Sequence, residues 1–235
     1  MGVPVGILVN VGSVVLGGFL GSVMGEKLSE TLKDTLTKVF GVCALAMGIT
    51  LTIRMQNLPA AVFAVIVGTI IGTALDLDGR IRRGTRRALE ALNLGGGIDF
   101  DLMLTALILF CASGTGIYGS LISGMTGEHS ILFAKSVLDL FTAMVFACKL
   151  KKATCLIGVP QIIIMLTLFF SARLIYPLTT DVMIDDFRAV GGIILLCTSF
   201  SMLKLLKFPL ANLLPGMILV MPVSWCWTSF ITPLF

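Results

Sequence analysis

Apolar runs fill most of the chain, and short polar breaks divide them. Cutting at those breaks predicts eight helices, over residues 4–24, 36–54, 58–75, 102–123, 131–148, 154–176, 188–206 and 209–232. Most reach the ~20 residues that carry an α-helix across a ~30 Å hydrocarbon layer. No polar stretch between them exceeds ~30 residues, too few to bury a core of its own. The pattern therefore predicts an all-α fold, a polytopic membrane helix bundle forming one integral membrane domain over residues 1–235.

Composition agrees with the pattern. Hydrophobic residues make up 57% of the chain and charged residues 13%, against about 25% charged in soluble proteins; the mean hydropathy is +1.03. No basic residue precedes the first apolar run and no A-x-A-like site follows it, so this run is expected to be retained as a span. Six cysteines lie inside or at the ends of apolar runs, with no C-x-x-C and a single histidine, His129. They are expected to be packing residues, leaving no metal site and no cofactor. The sequence RIRRGTRR holds five of the seventeen basic residues. Beside a membrane span it is read as a topology signal facing anionic headgroups, which makes the lipid bilayer the expected partner and excludes nucleic acid.

The basic residues test the helix count, because cytoplasmic loops hold the excess of lysine and arginine. With the N-terminus outside and all eight helices crossing, thirteen fall inside and three outside (Arg54, Arg173 and Arg188), while Lys135 lies within the fifth helix. If that helix did not cross, the partition would collapse to ten against seven. Eight crossings with both termini outside are expected.

Two segments resemble each other at an offset of 150 residues, KVFGVCALAMGITLTIRMQNLPAA from Lys38 and RAVGGIILLCTSFSMLKLLKFPLA from Arg188. Gly41 faces Gly191, Arg54 faces Lys204, and Pro59 faces Pro209 near the first position of the following helix, where a proline is harmless. Under the eight-span topology the two copies run in opposite directions. Residues 1–76 and 154–235 then read as inverted repeats joined by a helical hairpin, residues 102–148, a plan found in secondary transporters.

The fifth helix, ILFAKSVLDLFTAMVFAC, carries the chemistry. Lys135 lies roughly 7 Å below its outer end and Asp139 roughly 13 Å down, near mid-depth. Lysine can snorkel to the headgroups, but aspartate is too short, so Asp139 needs a partner, water or a proton. The two are i and i+4 on one face and can pair directly. The preceding helix carries Ser113, Gly114, Thr115 and Gly116 at its midpoint, and a break between Gly114 and Gly119 would free backbone groups at the depth of Asp139. Asn10 in the first helix either bonds between helices or lines the same place, with Gln161 and Asn212 as weaker candidates of the same type. The expected function is a transporter or channel for a small solute or ion. The alternative is a structural or partner-docking protein, in which the ion pair and the small residues only shape the bundle. No enzyme motif is present: there is no His-Glu metal pattern and no G-x-S-x-G. Gly17, Gly21 and Gly25 form a ridge on the first helix that predicts a tight contact, including one with a second subunit of a homo-oligomer.

The segments GILVNVGSVVLGGFLG, TALILFCASGTGIYGSLISGMTGEHSILFAKSVLDLFTAMVFA and AVGGIILLCTSFSMLKL, followed by ANLLPGMILV, resemble the YqgA-type bacterial inner-membrane proteins, a family of unknown function. The resemblance covers nearly the whole chain. Its most specific part runs from Phe110 through Gly127 to Lys135, Ser136, Leu138 and Asp139, which places Ser136 beside the charged pair as a further site residue. It implies a bacterial inner-membrane location, with the termini periplasmic under the topology above, and supplies no substrate. The family pattern has Val-Gly-Ala-Met-Ala where this chain has Ala112 to Gly116, so the resemblance does not itself imply Ser113 or Thr115.

Overall fold

The computed structural model describes residues 3–24, 29–91, 100–111 and 113–234. Every regular element among them is helical: α1 (Val5–Met24), α2 (Glu30–Thr52), α3 (Leu58–Ala74), α4 (Leu77–Ala91), α5 (Phe100–Cys111), α6 (Gly114–Thr126), α7 (Ser130–Leu150), α8 (Gly158–Ile175), α9 (Asp181–Met202) and α10 (Leu210–Cys226). The chain is all-α. It divides into two compact units, Met1–Lys38 with Ile81–Tyr176, and Val39–Arg80 with Pro177–Phe235.

In the first unit α1 and α7 run side by side in the same direction. Gly6 meets Leu132, Gly17 meets Leu140 and Ala143, and Gly21 meets Met144 and Ala147. A Cβ at Gly17 or Gly21 would run into the carbonyl oxygen of Leu140 or Met144. The glycine ridge is thus filled within the chain, which removes it as an argument for a second subunit; its third member, Gly25, lies outside the described residues, as does Lys27. Gly21→Leu is expected to lower stability by about 1–3 kcal/mol through overpacking, read as a lower melting temperature in detergent. Gly12→Leu is the control, since a Cβ at Gly12 meets nothing within 4 Å.

After α7 the chain reverses through a 3-10 turn, Lys151–Ile157, entered at Lys151 with φ 53°. As a result α8 passes α1 the opposite way: Gly18 meets Cys155, Val15 and Val11 meet Gly158, and Asn10 meets Gln161. The stem of Lys135 touches Gly116 near the start of α6, while Gly124 near its end meets Phe169 and Ala172 of α8. With Gln161 tied to the Lys135 cluster, this makes α6 and α8 parallel.

In the second unit the helices also pair antiparallel. Gly68 of α3 meets Gly216 of α10 and Gly72 meets Asn212, while Gly41 of α2 meets Leu203 of α9 and Gly48 meets Leu196. The Ser199 hydroxyl donates to the Gly41 carbonyl at 2.6 Å.

By length and apolarity, four stretches among the described residues suit a membrane crossing: Val5–Val23, Asp34–Thr52, Ser130–Ala172 and Leu210–Ile231. A fifth is added if Leu58–Ala74 and Leu77–Gly84, bent by 52°, count as one. This is fewer than the eight read from the polar breaks, and three features account for the difference. Ser130–Ala172 is 43 residues long and contains the reversal at Lys151. The helices α5 and α6 have 12 and 13 residues, each too short to cross alone. Finally, α9 carries Asp181, Asp185, Asp186 and Arg188 in its first turns.

Several boundaries differ from the sequence pattern, α2 beginning six residues early at Glu30 and α8 four residues late at Gly158. RIRRGTRR lies in a helix, α4, and not in a loop; the Asn212 carbonyl Oδ1 accepts the Asp78 N–H at 2.8 Å at its start. Asn212 therefore fastens the start of α4 to α10. Helix α9 begins at Asp181, seven residues before the expected start at 188, because the Thr180 hydroxyl caps it by accepting the Met183 N–H at 3.3 Å.

Candidate functional site

Three helices of the first unit bring polar side chains to one place, and a fourth packs a glycine against it. The Lys135 ammonium donates to Asp139 Oδ2 at 2.5 Å, with side chains 4% and 11% exposed. The Asn10 amide of α1 donates to the same oxygen at 2.9 Å. Gln161 of α8 donates in turn to Asn10 Oδ1 at 2.9 Å. From α6, Gly116 lies against the lysine stem, and a Cβ there would stand 3.1 Å from Cε. Asn10 and Gln161 are fully buried.

The charge on Asp139 sets the direction of this chain. A carboxylate only accepts, so Asn10 must turn its NH₂ toward it and its carbonyl toward Gln161. Gln161 then has to present its own NH₂, and its carbonyl Oε1 is left without a partner among the described residues. Such a group is costly in an apolar interior unless something else meets it.

The interruption predicted in the fourth helix is present but earlier than expected. Helix α5 ends at Cys111 and α6 begins at Gly114, while Ala112 lies outside the described residues. Ser113 is extended and caps α6, its hydroxyl accepting the Gly116 N–H at 3.2 Å. The glycines of the 114–119 stretch are helical. They serve close approach, Gly116 to Lys135 and Gly119 to Leu132. The break thus sets Gly116, in the first turn of α6, beside the stem of Lys135.

The other expected site residues have different positions. Thr115 is buried in the first turn of α6. The Ser136 hydroxyl is spent on its own helix, donating to the Leu132 carbonyl at 2.6 Å.

The sequence pattern passed over a second buried carboxylate, in the other unit. Asp186 of α9 is fully buried and accepts four hydrogen bonds. The Gln56 and Asn57 N–H groups reach Oδ1 at 2.8 and 2.9 Å, and the Asn57 amide and Ser224 hydroxyl reach Oδ2 at 3.0 and 2.6 Å. It ties the start of α3 to α9 and α10. The capping threonine at 180, followed by Met183, Ile184, Phe187 and Val190 at helical spacing, was the signal that Asp186 is helical and inward-facing.

A family model described as "Protein of unknown function (DUF554)" matches residues 5–225. The chain belongs to this DUF554 family. It is 41% identical over 231 residues to "Uncharacterized protein YqgA" of Escherichia coli (strain K12), covering 96% of this chain and 98% of that protein. It is 24% identical over 225 residues to "Uncharacterized membrane protein YdfK" of Bacillus subtilis (strain 168), covering 91% and 93%. No solved structure matches. The stretch matched to DUF554 includes Asn10, Lys135, Asp139 and Gln161, so all four belong to the body of the family domain.

Proposed function

We propose that the chain is a transporter or channel for a small solute or ion, working at the Lys135–Asp139–Asn10–Gln161 cluster. The observation that carries this reading is an ion pair buried about halfway along α7, extended by two amides, at the point where α5 gives way to α6. Interrupted helices and intramembrane ionisable groups are the usual means by which a bilayer protein admits a polar solute. The reading places eight crossings in a bacterial inner membrane with both termini periplasmic, counts α5 and α6 as one broken crossing, and assigns no enzymatic step. Helices separated by about 150 residues pass each other antiparallel within each unit, α1 with α8, α2 with α9 and α3 with α10, which favours the inverted-repeat plan.

The test is flux into liposomes holding the purified chain. Asp139→Asn is expected to reduce uptake about tenfold or more, equivalent to ~1.4 kcal/mol at the site, while its helix content and elution profile match the wild type. If the wild type moves no ion or solute class, the structural reading stands in its place. That second reading draws on one feature, the direct closure of Lys135 on Asp139.

A further inference from the structure

Three fully buried side-chain oxygens lack a partner among the described residues: Ser120 Oγ, Thr154 Oγ1 and Gln161 Oε1. Other buried hydroxyls of the first unit are met, Ser136 by the Leu132 carbonyl and Ser123 by His129. The unmet oxygens fall at successive levels along α8. Thr154 sits in the 3-10 turn that leads into the helix, and Gln161 follows in its first turn, roughly 10 Å further on. Ser120 is one turn before Gly124, where α6 meets α8 at Phe169 and Ala172. Because α6 and α8 are parallel, Ser120 falls about one helical turn beyond Gln161.

Their chemistry selects a ligand class. The Gln161 carbonyl can only accept, and the Asp139 carboxylate, acting through Asn10, holds it that way round. A guest must therefore bring an O–H or N–H donor to it. The two hydroxyls donate as readily as they accept, so they serve any hydrogen-bonding guest and select no charge.

The ion pair decides the charge of the guest. Among the described residues of the first unit, Lys135 and Asp139 are the two buried charged side chains; they close directly on each other, and their charges sum to zero. The neighbouring helices add Asn10, Gly116 and Gln161, all uncharged. An ion entering the row would bring a charge that these groups leave unbalanced, and unbalanced charge inside a bilayer is expensive. A neutral guest adds none.

We infer that Ser120, Gln161 and Thr154 pass a small uncharged solute carrying O–H or N–H donors, of the kind of glycerol or urea, while the Lys135–Asp139 pair stays closed. Each unmet oxygen is a place where the solute exchanges a hydrogen bond to water for one to the protein, which lowers the cost of crossing an apolar interior. The ion pair is then a positioning device. Its carboxylate orients Asn10, Asn10 orients Gln161, and the Gln161 carbonyl is left open to the solute. No proton, electron or group is transferred. This rests on the transport reading above and names its substrate class.

The first test needs no variant. Liposomes holding the full chain are mixed with hypertonic glycerol, urea, trimethylamine N-oxide, sodium chloride or potassium chloride, and their re-swelling is followed by light scattering. Glycerol or urea is expected to enter about tenfold faster than into empty liposomes. Trimethylamine N-oxide, close to glycerol in size but without a donor, and both salts should enter no faster than into empty liposomes. Ser120→Ala with Thr154→Val then removes two hydroxyls that bond no described residue. The melting temperature of this double variant should match or exceed that of the wild type, while its uptake falls about tenfold. The inference is overturned if the chain moves a salt or another solute but neither glycerol nor urea, or if trimethylamine N-oxide keeps pace with them. It is also overturned if the folded double variant transports at the wild-type rate, which would leave the hydroxyls to structural water. Transport itself survives each of these results, and if the double variant does not fold, the wild-type series decides. Absence of all flux from folded wild type overturns both.

Discussion

Lys135→Met lowers the unfolding free energy of the chain by about 3–5 kcal/mol, the usual consequence of leaving one member of a buried ion pair uncompensated. Asp139 keeps the Asn10 hydrogen bond but loses the 2.5 Å contact with the ammonium. Asp139→Leu has a comparable effect from the other side, since it strands a lysine whose side chain is 4% exposed. The double variant Lys135→Met/Asp139→Leu recovers most of the loss, because two apolar side chains of similar size need neither charge nor partner. Unfolding in mixed micelles, followed by far-UV circular dichroism, measures all three. If the single variants each cost under about 1 kcal/mol, the pair is not buried as described.

Asp186→Ala produces the second large effect. It removes the acceptor of four hydrogen bonds, two of them from backbone N–H groups at Gln56 and Asn57. At ~0.5–1.5 kcal/mol for each of the three bonds from Gln56 and Asn57, which water can partly replace, and ~1–3 kcal/mol for the buried Ser224 hydroxyl, about 3–5 kcal/mol should be lost from the second unit. Asp186→Asn keeps the size and one accepting oxygen and should cost less, about 1–2 kcal/mol. Thermal unfolding in detergent would show both, and Asp186→Ala melting with the wild type would mean that the start of α3 is held by something else.

Much of the helical order was readable because polar breaks in a membrane protein are where backbone returns to water. The expected starts and ends of α1, α3 and α7 fall within two residues of those observed. Lys135 and Asp139 were readable as a pair because i and i+4 share a helix face. The missed helical segments share one cause: charge was taken as loop. The arginines of α4 hid a helix, and Asp185, Asp186 and Arg188 hid the first two turns of α9. In the fourth helix the break was assigned to glycines, whereas Ser113 starts a new helix and the glycines admit neighbours. The contact between Gln161 and Asn10 spans 151 residues, and nothing local in either segment signals it.

The position of the ion pair also bears on how the chain enters the membrane during synthesis. Asp139 lies 22 residues before Gln161, so α7 emerges from the ribosome before α8 is complete. A carboxylate neutralised only by a later helix would have to enter the bilayer bare, at ~2.5–3.5 kcal/mol. Its companion here is four residues away on the same helix, so α7 carries its own counterion through the translocon and need not wait for the rest of the protein to be made.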